Sequence, residues 1–222
     1  MAGALILASV VLTLVSLAGQ VLKPILGEFV KLINVASELS VPTWYASTLL
    51  LLCSVLLAAI TLAERRRGNP AQRWGILSAI FLFLCLDDML ALHERTSNTL
   101  LQPGLRALGY EPGGFLSYAW VILYAPLVLI FVLAYFRFWL NLPARIRFLF
   151  LVAGALFVGG GILVEMFNAW YDSVYGRGTM LTATMTHFEE FFEMIGPSVF
   201  VYALLSYLGS TAGEVRLRIG EV

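Results

Sequence analysis

The segment His187-Phe188-Glu189-Glu190-Phe191-Phe192-Glu193 leads through Gly196-Pro197 into the apolar run Val199-Phe200-Val201-Tyr202-Ala203-Leu204-Leu205. Residues 185–209 are long enough to cross a membrane, yet three carboxylates and an imidazole sit at the mouth of that span. A charged side chain at the centre of a transmembrane helix costs roughly 2.5 to 3.5 kcal/mol even on insertion scales, so several unpaired ones would strain insertion. The segment therefore predicts a membrane helix whose polar end meets partners, water or a ligand.

The rest of the chain has the same character. Its 222 residues are 60% hydrophobic and 13% charged, with a mean hydropathy of +0.87. That composition predicts a single all-α, polytopic membrane bundle over residues 1–222. About six segments can cross ~30 Å of hydrocarbon at ~1.5 Å per residue. They lie near 4–23, 43–63, 73–94, 116–138, 147–169 and 185–209. Arg65, Arg66, Arg67 and Arg73 fall between spans two and three, Arg137, Arg145 and Arg147 between four and five, and Arg216 and Arg218 in the tail. The excess of Lys and Arg in cytoplasmic loops then predicts that both termini face the cytoplasm. Trp44, Trp120 and Trp170 fall at outer ends and Trp74 and Trp139 at inner ends, where interfacial anchors belong. The start, Met1-Ala2-Gly3-Ala4, carries no positive charge, and Ser16-Leu17-Ala18-Gly19-Gln20 is a poor cleavage site, which predicts an uncleaved first span. The expected location is a bacterial inner membrane, with the polar residues toward the extracytoplasmic side.

Fourteen Lys and Arg balance fourteen Asp and Glu, so no field points to nucleic acid. Cys53 and Cys85 lie in apolar runs and read as packed free thiols. Pro24 to Val41 carries Glu28, Lys31, Asn34 and Glu38 at helical spacing, which predicts a helix lying in the outer interface. Gln102-Pro103-Gly104 and Glu111-Pro112-Gly113-Gly114 are turn signals in the loop 95–115, either a lid or a connector. Pro126 should kink span four, and Gly159-Gly160-Gly161 should let a neighbouring helix approach span five closely.

Depth along each span brings the polar residues together. Counted from the cytoplasmic ends, Asp87 and Asp88 lie about 20 Å across and His93 and Glu94 about 30 Å. Glu165 lies at about 27 Å, and Glu193, Glu190 and His187 at about 24, 29 and 33 Å. Asp87 and Glu94, seven apart, would share a face of span three; on span six, His187 with Glu190 and Glu189 with Glu193 would converge in pairs. Pro197 frees the carbonyl of Glu193 as one more acceptor. Arg95 and Arg177 lie only at the rim, so protonation, water or a cation must offset the charge. Thr186 and Glu189 also fit a capping box at the start of span six.

Three functions fit this pattern. In the first, Asp87, Asp88, His93, Glu94, His187 and Glu190 hold a divalent metal (Zn, Fe or Mn), and Glu193 and Glu165 act as general base or further ligand in an enzyme acting on a lipid or lipid-linked substrate. In the second, the same acids serve a proton- or cation-coupled transporter or channel, although the cytoplasmic halves of the spans have almost no polar residues. In the third, they satisfy one another or a partner's basic residues in an accessory subunit. The chain is similar to the intramembrane hydrolases that include alkaline ceramidases and adiponectin-receptor-like proteins in combining Asp and His within a helical bundle. That group has three histidines, a late His-x-x-x-His pair and seven spans; this chain has two histidines and about six spans, and no residue role passes across. No Gly-x-Ser-x-Gly, phosphate-binding loop, dinucleotide fingerprint or His-Glu-x-x-His occurs. The only lysines, Lys23 and Lys31, lie outside the spans, so no retinal Schiff base is available.

Overall fold

The computed structural model describes residues 2–211 except 38, 112 and 177. The expectations placed on Glu38, Pro112, Arg177 and the tail residues Arg216 and Arg218 lie outside the described residues. Seven helices carry the fold: α1 (Ala2–Val21), α2 (Val41–Arg66), α3 (Gln72–Leu90), α4 (Leu92–Ala107), α5 (Trp120–Leu140), α6 (Ala144–Tyr175) and α7 (Met180–Thr211). Five of them are long and apolar enough to cross a membrane, and α3 with α4, bent by 70° at their junction, makes a sixth crossing if the pair is one span. No strand occurs among the described residues.

Neighbours run antiparallel, and polar ties show how they register. Ser54 and Ser78 each donate to the other's backbone carbonyl, at 2.8 and 2.9 Å, clamping α2 to α3. Long α7 runs through the middle, contacting α1, α2 and α6. Its Gly196 meets α6 so closely that a Cβ there would lie 2.7 Å from Phe157 Cβ and 3.0 Å from the Ala153 carbonyl. Small residues permit this approach, as membrane helices commonly use them. One end of the bundle carries Arg65, Arg66, Arg67, Arg73, Arg137, Arg145 and Arg147. There Arg67 donates to the Thr211 carbonyl and Arg145 to the Tyr202 hydroxyl at 2.6 Å. Just inside this end lies an apolar core of Cys53, Leu57, Ile60, Trp74, Leu77, Leu142, Ile146, Phe200, Val201 and Leu204.

Four local features differ from the sequence reading. First, α3 stops at Leu90 because Ala91 adopts the left-handed conformation (φ 47°, ψ 46°). Neither glycine nor proline marks the place. Second, the stretch after the break is helical through Gln102-Pro103-Gly104 rather than turned; a widened turn at Ser97–Leu101 precedes Pro103, which occupies an early helical position where its missing N–H is tolerated. Third, Pro24 to Val41 is not one helix: short turns end at Ile33, after Gly27 (φ 55°) and before extended Asn34. Fourth, α7 begins at Met180, so Thr186 lies inside it. The Thr186 hydroxyl donates to the Thr182 carbonyl at 3.1 Å, which rules out the capping box, and Thr179 Oγ1 instead accepts from the Thr182 amide at 3.2 Å.

Candidate functional site

At the end opposite the arginines, α3 delivers two adjacent acids in different directions. Asp87 is buried, and its Oδ1 accepts from the Tyr124 hydroxyl of α5 at 3.0 Å. Its Oδ2 lies 3.1 Å from His93 Nδ1. Asp88 instead accepts a short hydrogen bond from Ser47 of α2. Because Ala91 breaks the helix, His93 does not continue the face of α3; it folds back over Asp87 and packs edge-on to Trp120, ring centroids 5.3 Å apart. The same break takes Glu94 off the face of Asp87, and Glu94 faces a cavity.

Two helices supply the glutamates. The glycine run of α6 widens into a π turn over Gly159–Val164, and Gly160 and Gly161 are buried against α7. A Cβ at Gly160 would lie 2.5 Å from Phe192 Cβ and 3.3 Å from the Glu189 carbonyl, so the expected close approach exists. A Cβ at Gly161 would lie 2.5 Å from Glu193 Oε1, so that glycine makes the space the Glu193 carboxyl fills. One turn on, Glu165 Oε1 accepts from the Trp120 indole at 2.9 Å. The Glu165 carboxyl also stands within hydrogen-bonding reach of Glu189. Glu193 lies deeper, within electrostatic reach of Asp88, Glu165 and His93.

A cavity of about 290 Å³ is lined by Glu165, Asn168, Glu189 and Glu190 of α6 and α7, by Trp120 of α5, and by Glu94, Ser97, Asn98 and Gln102 of α4. The three glutamates Glu165, Glu189 and Glu190 are only half-buried by exposure because the cavity itself exposes them. Among the described residues no Lys or Arg forms an ion pair with these three glutamates; Lys31–Glu28, Arg67–Glu64 and His93–Asp87 are ion pairs found there.

His187 goes elsewhere. Buried at 4% exposure, its Nδ1 meets the Ala183 carbonyl at 2.7 Å, and its Nε2 lies 3.1 Å from Ser16 Oγ and 3.3 Å from Gln20 Nε2. Ser16 also accepts from the Val35 amide at 3.0 Å, so this imidazole ties α1 and the segment after Ile33 to α7. Both nitrogens are engaged away from Glu190. Among the described residues, no three His, Cys, Asp or Glu side chains come together as metal ligands. The expected set is dispersed for visible reasons: Asp87 and Asp88 point to different helices, and His187 to α1.

A family model matches residues 4–208, nearly the whole helical bundle. The chain belongs to that family, described as a domain of unknown function (DUF8692). No curated protein and no solved structure matches it. What the site can do therefore rests on its own chemistry. The hydroxyls and indole that serve the acids, Ser47, Tyr124 and Trp120, were not singled out as site residues from sequence. Their one signal was depth: Trp120 and Tyr124 stand one turn apart in span four, at the level of the acids.

Proposed function

We propose that this protein is a membrane-embedded enzyme in which the Glu165 and Glu189 carboxyl groups perform acid–base chemistry on a lipid or lipid-linked substrate. The observation that carries this reading is that carboxyl groups from α6 and α7, those of Glu165 and Glu189, line one polar cavity with no Lys or Arg among its described lining residues. A pair with one proton between them has both a general acid and a general base in place: one oxygen gives a proton to a leaving group while the other takes one from the attacking group. Trp120 orients Glu165. Glu193 and the Asp87–His93 pair lie outside the cavity lining, within electrostatic reach of Glu165.

The arginine-rich end belongs in the cytoplasm by the bias of Lys and Arg, which opens the cavity to the extracytoplasmic leaflet of a bacterial inner membrane. A proton- or cation-coupled transporter would need a polar route onward through the half that is packed with Leu57, Ile60, Trp74, Phe200 and Leu204. The dispersed His and Asp side chains do not fit a three-ligand Zn, Fe or Mn site, so proton transfer by the glutamate pair is the step assigned to this chain.

The test is lipid turnover. Purified protein in nanodiscs of total bacterial lipid extract is followed by mass spectrometry, beside Glu165→Gln and Glu189→Gln. One lipid class is expected to be converted by the wild type, and each variant to lose about 100-fold in rate. Folded wild type that leaves every lipid class unchanged overturns the enzymatic reading. Stoichiometric metal in the wild type that is lost in Glu190→Ala would replace it with a metal-dependent one.

A further inference from the structure

The arginine-rich end carries two unlike groups of cations. Arg67 pairs with Glu64 at 3.2 Å, and Asn69 Nδ2 donates to the other oxygen of that carboxyl at 2.7 Å. Glu64 is the one acid at this end among the described residues. The other group sits at the elbow between α5 and α6, where Arg137, Arg145 and Arg147 form no ion pair among the described residues.

The elbow holds its guanidinium groups in place. The Trp139 indole donates to the Arg147 carbonyl at 2.9 Å, and Arg147 donates to the Leu140 carbonyl at 3.2 Å, its guanidinium 5.7 Å from the centre of the Trp139 ring. Arg145 reaches α7, donating to the Tyr202 hydroxyl at 2.6 Å with its guanidinium 5.8 Å from that ring. Both acceptors are neutral, so both charges stay whole, and most of the N–H donors of each guanidinium remain free. Orienting the chain in a membrane requires positive charge in this loop, and lysine would serve as well. Orientation does not require planar forks seated on rings, a geometry that suits phosphate.

The surface beside the elbow is apolar. Leu133, Arg137 and Leu140 share one exposed face of α5, and Arg145, Phe148 and Leu151 share one exposed face of α6. Each face joins apolar side chains to an arginine at the end of the span. We propose that the α5–α6 elbow binds an anionic phospholipid of the leaflet on the arginine-rich side, its phosphate on Arg145 and Arg147 and its acyl chains along these faces. A free phosphate or an acidic protein segment answers the charge and leaves the apolar faces unused. A zwitterionic lipid brings its own ammonium beside the phosphate and so offers the guanidinium groups no net charge. The elbow lies at the opposite end from the glutamates, and its role is independent of the enzymatic reading.

In the experiment, the detergent-purified full chain is titrated with dioleoyl phosphatidylglycerol and, separately, with dioleoyl phosphatidylcholine, and bound lipid is counted by native mass spectrometry. The glycerol lipid is expected to bind at least about tenfold more tightly. Arg145→Gln and Arg147→Gln should each weaken it by about fivefold, and the double variant should erase the preference. Arg147→Lys keeps the charge and loses the fork, and should still weaken binding by about threefold. Arg65→Gln with Arg66→Gln removes as much charge from the same end outside the elbow, and should change the affinity by less than about twofold. Thermal unfolding of the same samples identifies any variant that fails to fold, in which case the lysine variant carries the test. Equal binding of the choline lipid overturns the proposal and leaves the elbow to an acidic protein segment. A loss in the Arg65 and Arg66 variant as large as that in the elbow double variant also overturns it, since diffuse charge then accounts for binding. Displacement by equimolar inorganic phosphate overturns the lipid source.

Discussion

Near the arginine-rich end, Trp74 of α3 is enclosed by rings from three other helices: Phe138 at 4.9 Å, Tyr207 at 4.7 Å and Phe150 at 6.2 Å between centroids. Three to four turns further along α3, Asp87 and Asp88 bond Tyr124 and Ser47, within electrostatic reach of Glu193 of α7. The same helices line both places, so the difference is not one of scaffold. In the first, every side chain fills space that its neighbours leave, as interiors close-packed like crystals do. In the second, polar groups line a cavity, and two buried acceptor oxygens, Asn168 Oδ1 and Asp172 Oδ1, have no partner among the described residues. Stability concentrated in one half allows the other to hold groups that stability alone would not select.

The contrast is broken most directly at its apolar pole. Trp74→Ala removes a buried indole and leaves a hole among rings fixed on other helices, and should destabilise by about 3–5 kcal/mol in reversible detergent unfolding. A loss below about 1 kcal/mol would show that this half is not where stability resides. Gly160→Ala probes the boundary between the halves, since its Cβ would meet Phe192 Cβ and the Glu189 carbonyl, an atom of backbone that cannot swing aside. Separation of α6 from α7 should cost about 2 kcal/mol and widen the Glu165–Glu189 pair, so activity should fall with stability. Smaller still, Ser40→Ala removes the side-chain acceptor of the Thr43 amide at the start of α2 (3.3 Å), and Ser40 does not line the cavity. About 1 kcal/mol should be lost in the same unfolding assay, with lipid turnover unchanged.

The two halves were also unequally legible. The set of apolar helices was readable because membrane crossing requires little more than apolar length, as in 43–63 against Val41–Arg66. The glycine run of α6 was readable because only a bare face admits a neighbour so closely. The level of the acids followed from counting rise, but that Glu165 and Glu189 line one cavity did not, since Glu189 was read with Glu193 or as a helix cap. Direction around the axis failed where the helix broke. An alanine in the left-handed region gives no compositional signal, so Glu94 is expected on the face of Asp87 although the helix ends three residues after Asp87. His187 failed for a different reason: its partners Ser16 and Gln20 are about 170 positions away, and no local spacing announces so distant a hydrogen bond.

The smallest expected change in stability decides the most about the polar half. Glu189→Gln exchanges a carboxyl for an amide of the same shape, keeping an acceptor and adding N–H donors toward Glu165. If the glutamates serve chemistry, the folded state loses nothing by the exchange, because a neutral amide is less costly to hold within the membrane than a carboxylate. The unfolding midpoint should then stay the same or rise, while turnover collapses; active sites commonly hold residues that lower stability. A clear fall in the midpoint would mean that the Glu165–Glu189 contact holds α6 to α7, making it a tie like the Ser54–Ser78 clamp. The distinction between a packed half and a working half would then fail at the residue on which it most depends.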